Sequence, residues 1–269
     1  MVKMDVIATK QLELAYDDKS VVDNLNLSIA KGKITSLIGP NGCGKSTILK
    51  AAGRILKPKS GWVYLNGSDI QKLPTQEVAK DMSILPQTPA APPGLTVWEL
   101  VSYGRFPRRR RRSKLTAEDK DIITWALAKT RLLESAAAVV DNLSGGQRQR
   151  VWIAMAIAQQ TDLILLDEPT TYLDMAYQLE VLELLEKLNR ERKCTIAMVL
   201  HDLNLAARFS DCLIAVRNGK IVAEGTAEEI MVPEVLSDTF EIDAEIVRDP
   251  RTGKPACISY HLREERTGL

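Results

Sequence analysis

The chain has 269 residues, of which 45% are hydrophobic and 26% are charged. This composition is that of one ordinary soluble domain or two small ones, and it excludes a disordered chain. The formal net charge of +1 excludes a general attraction to nucleic acid or to acidic lipid, so any such affinity must be local.

The N-terminal segment, residues 1–16, has no apolar signal core, and the longest apolar run, residues 151–158, is far shorter than the ~20 residues of a membrane span. We therefore expect a chain that neither crosses a membrane nor is exported by a signal peptide. The four cysteines form no CxxC pair, which indicates a reducing compartment.

Residues 11–39 predict strands. Apolar and polar side chains alternate there, as at Leu25, Leu27 and Ile29, which is typical of antiparallel strands. The expected turns are Asp17-Asp18 and Lys31-Gly32. The apolar run 34–38 then leads into a glycine-rich segment.

That segment, GPNGCGKST at 39–47, is followed by a predicted helix with apolar residues at helical spacing, Ile48, Leu49, Ala52 and Ile55, ended by Pro58 and Gly61. A G-x-x-x-x-G-K-[ST] loop between a strand and a helix turns its amides around a phosphate. Lys45 should reach the β and γ phosphates of a nucleotide, and Ser46 should bind Mg²⁺. A plain glycine turn would not explain all the motif residues in register. Cys43 is interpreted as a small filler rather than a functional thiol.

A second glycine-containing helix start occurs at 143–160, LSGGQRQRVWIAMAIAQQ. Ser144, Gly145 and Gly146 precede a helix whose predicted apolar face contains Val151, Ile153, Ala154, Ile157 and Ala158. One chain needs one phosphate loop per nucleotide. This second anion-binding helix start therefore predicts contact with a γ-phosphate presented by another molecule. The alternative is a plain N-capped helix, which explains Ser144 but neither both glycines nor Gln147.

Residues 162–169, DLILLDEP, predict a buried parallel strand that carries Asp167 and Glu168 at its carboxyl end. Asp167 should hold Mg²⁺, largely through water. Glu168 should orient the attacking water and act as general base. A solvated acidic turn is the alternative, and the phosphate loop earlier in the chain disfavours it.

The tail predicts small elements and no second catalytic centre. The stretch 218–225, NGKIVAEG, is typical of a hairpin, and Thr226 with Glu229 predicts a capped helix. Strands are expected on either side of a DPRTGK turn at 249–254.

These motifs, in this order, resemble the ATP-binding cassette ATPases over nearly the whole chain. GPNGCGKST resembles Walker A, LSGGQ the signature, LILLDE Walker B, and TYLD at 171–174 the D-loop. The resemblance implies ATP and Mg²⁺ as cofactors, Gln87 as the Q-loop glutamine beside the metal and the catalytic centre, His201 as the switch histidine at the γ-phosphate, and Tyr16 stacked on adenine. It further implies nucleotide contacts from Gly39, Pro40, Asn41, Gly42, Cys43, Gly44, Lys45, Ser46, Thr47, Ser144, Gly145, Gly146, Gln147 and Asp174.

The resemblance also implies an α/β architecture: a RecA-like P-loop core with an antiparallel β subdomain and an inserted helical subdomain. The expected parts are the β subdomain with the first part of the core at 1–87, the helical subdomain at 88–160, the second part of the core at 161–235, and a C-terminal lobe at 236–269. Two copies are expected to meet head to tail, each ATP held between Walker A of one and the signature of the other.

Among this family, the lack of a heptad run disfavours the coiled-coil chromosome-maintenance ATPases, and the single cassette disfavours the tandem translation factors. Segments such as LTVWELVSYGRFPRRRR and VLHDLNLAARFSD resemble the ATPases of bacterial ferric-siderophore, haem and cobalamin importers, the first group most. That resemblance implies a peripheral protein on the cytoplasmic face of the inner membrane, bound to two permease subunits and served by an extracytoplasmic solute-binding protein. The alternative is a soluble cassette of the iron-sulfur assembly type.

The sequence departs from that pattern at Trp98, where a charged residue is expected, and at the run Arg108 to Arg112. The run is interpreted as a solvated loop or as a contact with anionic lipid head groups. Binding to nucleic acid is not expected, because aromatic interleaving is lacking beyond Phe106.

Overall fold

A computed structural model describes residues 5–17, 19–109, 114–171 and 173–263. The chain divides into two compact units, Met1–Asp69 with Ala197–Leu269, and Ile70–Ile196. The strands are β1 (Asp5–Tyr16), β2 (Lys19–Leu25), β3 (Ser28–Ala30), β4 (Ile34–Ile38), β5 (Ser60–Leu65), β6 (Ser68–Asp69), β7 (Met82–Leu85), β8 (Leu163–Asp167), β9 (Thr195–Val199), β10 (Cys212–Arg217), β11 (Lys220–Gly225), β12 (Ile242–Arg248) and β13 (Pro255–Leu262). The α-helices are α1 (Lys45–Ala52), α2 (Thr75–Asp81), α3 (Val97–Ser102), α4 (Ala117–Lys129), α5 (Gly145–Ala158), α6 (Met175–Arg192), α7 (Leu203–Phe209), α8 (Ala227–Ile230) and α9 (Pro233–Phe240).

The first unit begins with an antiparallel sheet in the order β2-β1-β5-β6, with β3 also paired to β1. This confirms the strands predicted from alternation. Leu25, Leu27 and Ile29 are all buried as predicted, although they belong to two strands and the link between them: Leu25 ends β2, Leu27 lies in the link and Ile29 lies in β3. The predicted first turn contains Asp17, in the left-handed region at φ 50°, while Asp18 lies outside the described residues.

The turn at Lys31-Gly32 is present, but it does not join two antiparallel neighbours as expected. β3 pairs with β1, whereas β4 pairs in parallel with β10, which in turn forms an antiparallel hairpin with β11. All five residues of β4 are buried. A strand covered on both faces has a continuous apolar run, and such runs are typical of parallel pairing.

The helix after the phosphate loop is shorter than predicted. α1 ends at Ala52, Arg54 adopts φ 59°, and the Ile55 amide donates to the Lys50 carbonyl at 2.8 Å. A residue in the left-handed region ends a helix. Ile48, Leu49 and Ala52 are buried as predicted, but the placement of Ile55 on the apolar face was wrong, since it is 54% exposed.

In the second unit, β7 and β8 pair in parallel, from Met82 opposite Leu163 to Leu85 opposite Leu166. All five residues of β8 are buried, which confirms the strand predicted at 162–169. Helices α3 and α4 both pack on α5. The predicted apolar face of α5 is confirmed, because all five of its residues are buried.

A buried ion pair lies inside this helical part of the second unit. Arg105 Nε donates to Asp119 Oδ1 at 2.9 Å, and the two side chains are only 5% and 8% exposed. Burial by itself raises the pKa of the Asp119 carboxyl, but hydrogen bonds from Arg105 and Thr116 outweigh it and hold the pKa below its ordinary value. The pair therefore stabilises the fold at neutral pH, and this contribution is lost only as the pH falls through the lowered pKa.

We expect Arg105→Met to lower the free energy of unfolding by about 3–5 kcal/mol, because Asp119 is left buried without its charge partner. Urea unfolding at pH 7 measures the change. The matched control is Arg190→Gln, which breaks an exposed pair with Glu186 on α6 and should cost less than about 1 kcal/mol. Equal losses in both variants would contradict the role given to the buried pair.

The arginine run after α3 is only partly described, since Arg110, Arg111 and Arg112 lie outside the described residues. Arg108 donates to the carbonyls of Gln159, Gln160 and Lys80. Two of these bonds satisfy carbonyls just beyond the end of α5, and the third satisfies the Lys80 carbonyl in the last turn of α2. Arg108 is thus bound to its own protein, and the lipid hypothesis stays a prediction for the remainder of the run.

The tail follows the predicted elements. Asn218 and Gly219 form the β10–β11 turn, both with positive φ, and the Thr226 amide donates to Glu229 Oε2 at 2.7 Å. β12 and β13 form an antiparallel hairpin on either side of the predicted DPRTGK turn, and they pack on α9 and α7. The four parts proposed for the chain, with the boundaries between them, stay a prediction.

Candidate functional site

The phosphate loop, residues 39–47, connects β4 to α1 in the first unit. Gly39, Gly42 and Gly44 have φ of 149°, 75° and 108°, backbone conformations that residues other than glycine rarely adopt. A Cβ at Gly39 would lie 2.1 Å from the Val216 carbonyl oxygen of β10. The Gly219 amide of the β10–β11 turn donates to the Cys43 carbonyl at 2.9 Å. The glycines therefore allow a loop that lies directly on the neighbouring hairpin.

Lys45 opens α1 and is 5% exposed. Its ammonium donates to the Gly39 carbonyl at 2.7 Å and to the Pro40 carbonyl at 2.9 Å, and it lies 3.8 Å from Cys43 Sγ. The positive charge is thereby held within the loop, at the N-terminus of α1, where the helix dipole is also positive. This combination is what a bound phosphate requires.

The other loop residues differ in exposure. Asn41 and Gly42 are exposed, Pro40 and Ser46 are half-buried, and Thr47 is buried. Cys43 is only 4% exposed. Its Sγ packs against Gly39 so closely that a Cβ added to Gly39 would lie 2.9 Å from it. This tight packing supports its interpretation as a small filler.

A cavity of about 780 Å³ opens beside the phosphate loop in the first unit. Tyr16 lines it, with 45% of its surface exposed, and so does Gly42 of the loop. An aromatic ring with an exposed face is suited to stacking on a planar base. The position of Tyr16 beside the loop supports its prediction as the adenine contact.

In the second unit, β8 ends with Asp167, 1% exposed, followed by Glu168, 8% exposed. Glu168 has φ 53°, which costs a residue with a side chain about 1–3 kcal/mol. Thr171 Oγ1 donates to Glu168 Oε2 at 3.0 Å. The fold thus holds this carboxylate in a strained and fixed position, which sequence patterns cannot reveal.

Gln87 follows β7 by two residues and is exposed. Because β7 and β8 are parallel neighbours, their carboxyl ends lie at the same edge of the sheet. Gln87 therefore follows the strand end next to the one that carries Asp167 and Glu168, as the Q-loop prediction requires.

The signature segment forms the N-terminus of α5. Ser144 Oγ accepts from the Gln147 amide at 3.2 Å, and Gln147 Oε1 accepts from the Ser144 amide at 3.0 Å. This capping box explains Gln147 as well as Ser144, so the argument that plain capping leaves Gln147 unexplained was wrong. Gly145 has no such explanation, because a Cβ there would meet nothing within 4 Å. With glycine at position 145, no side chain covers the N-terminus of α5 there.

Gln149 is a residue that the motif analysis missed. It is 9% exposed, and its Nε2 donates to the Pro169 carbonyl, immediately after Glu168, at 3.1 Å. The bond joins the signature helix to the acidic strand end. The available signal was a polar residue four positions before Ile153, at helical spacing with the apolar face of α5.

Asp174 and His201 lie at helix starts. Asp174 caps α6 by accepting from the Tyr177 amide at 3.1 Å. His201 is exposed and precedes Asp202, the cap of α7, which accepts from the Leu205 amide at 2.8 Å. The backbone at both predicted nucleotide contacts is therefore fixed by the capping hydrogen bond of a helix.

A phosphate loop between a strand and a helix, together with a buried strand ending in two carboxylates, defines a P-loop nucleotide-binding protein. Residues 22–171 match the family described as ABC transporter. The chain therefore belongs to the ABC transporter family, whose ATP-binding proteins are ATPases, and its fold is the α/β ATP-binding cassette.

The chain is 60% identical to the iron(3+)-hydroxamate import ATP-binding protein FhuC of Bacillus subtilis (strain 168), over 96% of each chain. It is 45% identical to the ferric enterobactin transport ATP-binding protein FepC of Escherichia coli (strain K12), over 93% of this chain and 92% of that one. The dimeric structure of the bacterial ABC transporter cassette MJ0796 matches with a TM-score of 0.74 and 32% identity, covering 82% of this chain and 98% of that chain.

Across the described ranges, none of the helices combines the length and the apolar character needed to cross a bilayer.

Proposed function

We propose that this chain is the ATP-binding subunit of an importer for a ferric siderophore or related iron chelate. The observation that carries the proposal is the 60% identity with an iron(3+)-hydroxamate import ATP-binding protein over 96% of both chains. A second relative, 45% identical, is a ferric enterobactin transport ATP-binding protein. The relatives disfavour the alternative of an iron-sulfur assembly cassette.

ATP binds with its phosphates in the loop 39–47 and its adenine against Tyr16. Lys45 binds the β and γ phosphates through its ammonium. Ser46 and Asp167 offer the hard oxygen ligands that Mg²⁺ prefers, and the amide oxygen of Gln87 is a further ligand of this kind, so these residue types fit the ion. When bound, the ion neutralises charge on the phosphates.

Glu168 accepts a proton from the attacking water and orients it. Its fixed position, bonded to Thr171, suits a base that must aim at one oxygen atom. His201 contacts the γ-phosphate. Gln87 would offer its amide group to the bound metal and to the attacking water, and so would link the catalytic centre to the loop in which it lies.

Two copies form the working unit, each ATP lying between the phosphate loop of one copy and the signature of the other. The bare helix end at Gly145 supports this arrangement, because the chain's own packing gives no reason for a glycine there. The similar bacterial ABC transporter cassette MJ0796 has a dimeric structure. Asp174, at the start of α6, contacts the same interface. ATP closes the dimer and hydrolysis opens it.

The dimer is bound to two integral membrane permease subunits at the cytoplasmic face of the cell membrane. It is a peripheral protein there. An extracytoplasmic binding protein delivers the chelate to the permease, and this chain never contacts it. ATP-driven closure and opening therefore act on the permease through the attached surface.

The test is to tag the chain in its native host, solubilise membranes gently and identify what co-purifies. A stoichiometric polytopic membrane protein is expected, together with iron-chelate uptake that fails when the chain is deleted. Recovery only from the soluble fraction, with cytosolic scaffold proteins, would leave the ATPase assignment intact and overturn the transport proposal.

A further inference from the structure

We propose that the second unit contains a binding site for a small organic anion, in a cavity between α4, α5 and α6. The cavity has a volume of about 260 Å³ and opens to solvent. A buried cavity of roughly 150 Å³ is enough to hold benzene, so this one has room for a ring and an acidic group.

The floor of the cavity is apolar. Ile153 of α5 and Val181 of α6 are 1% and 3% exposed, and Leu184 lies one turn further along α6. These side chains suit an aromatic or aliphatic body. A free inorganic ion would gain nothing from them.

The lining carries four basic side chains, Lys129, Arg131, Arg150 and Lys187, against two acidic ones, Glu180 and Glu183. Arg131 binds Glu180 at 2.7 Å, which neutralises that carboxylate locally. Lys187 Nζ lies 3.7 Å from Oε1 of Glu191, which is not part of the lining, so this ion pair is long and weak. The excess of positive charge around an apolar floor favours an anionic ligand.

Arg150 provides the point at which the acidic group would bind. Its guanidinium lies 4.6 Å from the centre of the Tyr177 ring, and its Nε is buried without a hydrogen-bond partner in the described part of the chain. Buried donors are nearly always paired. A guanidinium presents two adjacent N–H groups that match a carboxylate or a phosphate.

The helices around the cavity also carry parts of the predicted nucleotide site. α5 begins at the signature residues Ser144 to Gln147, and α6 begins at Asp174. A ligand bound between these helices would restrict the motion of the N-termini of both α5 and α6. A regulatory effect on ATP hydrolysis rests on the proposed function, whereas binding itself does not.

The test uses phenyl phosphate as probe, titrated into the full-length protein by calorimetry. Saturating Mg-ADP in every sample occupies the phosphate loop. Phenyl phosphate is expected to bind at least tenfold more tightly than benzyl alcohol, which lacks the charge, and than inorganic phosphate, which lacks the ring. Phenylacetate distinguishes a carboxylate ligand from a phosphate one. Absence of binding by both phenyl phosphate and phenylacetate would overturn the proposal.

Two variants locate the binding. Leu184→Trp fills the floor and should abolish it, and Arg150→Gln should weaken it at least tenfold, with circular dichroism confirming that both fold. Arg190→Gln removes an exposed charge from α6 outside the cavity and should bind as the parent does. Unchanged affinity in Leu184→Trp would place the probe elsewhere and refute the site. Because this assay needs neither permease nor turnover, its failure is distinct from failure of the transport proposal.

Discussion

Replacing Glu168 with glutamine is expected to remove most ATP hydrolysis while leaving ATP binding intact. Glutamine keeps the size of the side chain and an oxygen that can accept from Thr171 Oγ1, but it cannot take a proton from water. A positioned general base contributes about 10²–10⁴-fold, so steady-state phosphate release should fall by at least about 100-fold. ATP should then hold the variant as a closed dimer, which light scattering after size exclusion detects.

The control for this variant is Glu134→Gln, a change of the same chemistry at an exposed position outside the predicted site. It should hydrolyse ATP at the parent rate. If Glu168→Gln also turned over at the parent rate, the assignment of the base would be wrong.

Lys45→Ala should weaken nucleotide binding itself. The variant loses a charged donor, and a hydrogen bond to a charged group contributes about 1.5–3 kcal/mol, which corresponds to roughly a 10- to 150-fold rise in the dissociation constant. The bonds to the Gly39 and Pro40 carbonyls are lost too, so the loop becomes less restrained. Calorimetric titration with ADP, which needs no turnover, measures the affinity.

Lys50→Ala is the matched control, because Lys50 lies on the same helix, in its last turn. Its affinity for ADP should equal that of the parent. Thermal unfolding without nucleotide separates loss of binding from loss of folding. Parent-like affinity in a folded Lys45→Ala chain would contradict the role given to Lys45. The two variants thus fail differently, Glu168→Gln in turnover and Lys45→Ala in binding.

The candidate site residues could be selected from the sequence because most of them occur in short contiguous motifs, and their roles stay predictions. Gly39 to Thr47, Ser144 to Gln147 and the Asp167-Glu168 pair each occupy one loop or strand end, so their register is fixed by covalent neighbours. Alternation at Leu25, Leu27 and Ile29, and helical spacing in α5, identified buried faces correctly for the same reason. The positions of Tyr16, Gln87 and His201 as nucleotide contacts stay predictions.

The sequence analysis failed once for a local reason, at the end of α1, and elsewhere because a contact distant in the chain decided the outcome. Ile55 has the right spacing for α1, yet the left-handed turn at Arg54 releases it into solvent. β4 follows antiparallel strands but pairs with β10, more than 170 residues further on. The bond from Gln149 to Pro169 and the ion pair of Arg105 with Asp119 join segments that no motif connects.

The sequence by itself determined that this chain is an ATP-binding protein of the ABC family, and it assigned the glycine-rich loop, the acidic pair and the signature to the helix starts and strand end where the structure has them. Those properties depend on local spacing. Only the tertiary structure decided that Gly39 must be a glycine, because its contact is a carbonyl of β10, that Glu168 is held in a strained conformation, and that α4, α5 and α6 enclose a basic cavity. Each of these depends on atoms brought together by packing, which spacing along the chain does not encode.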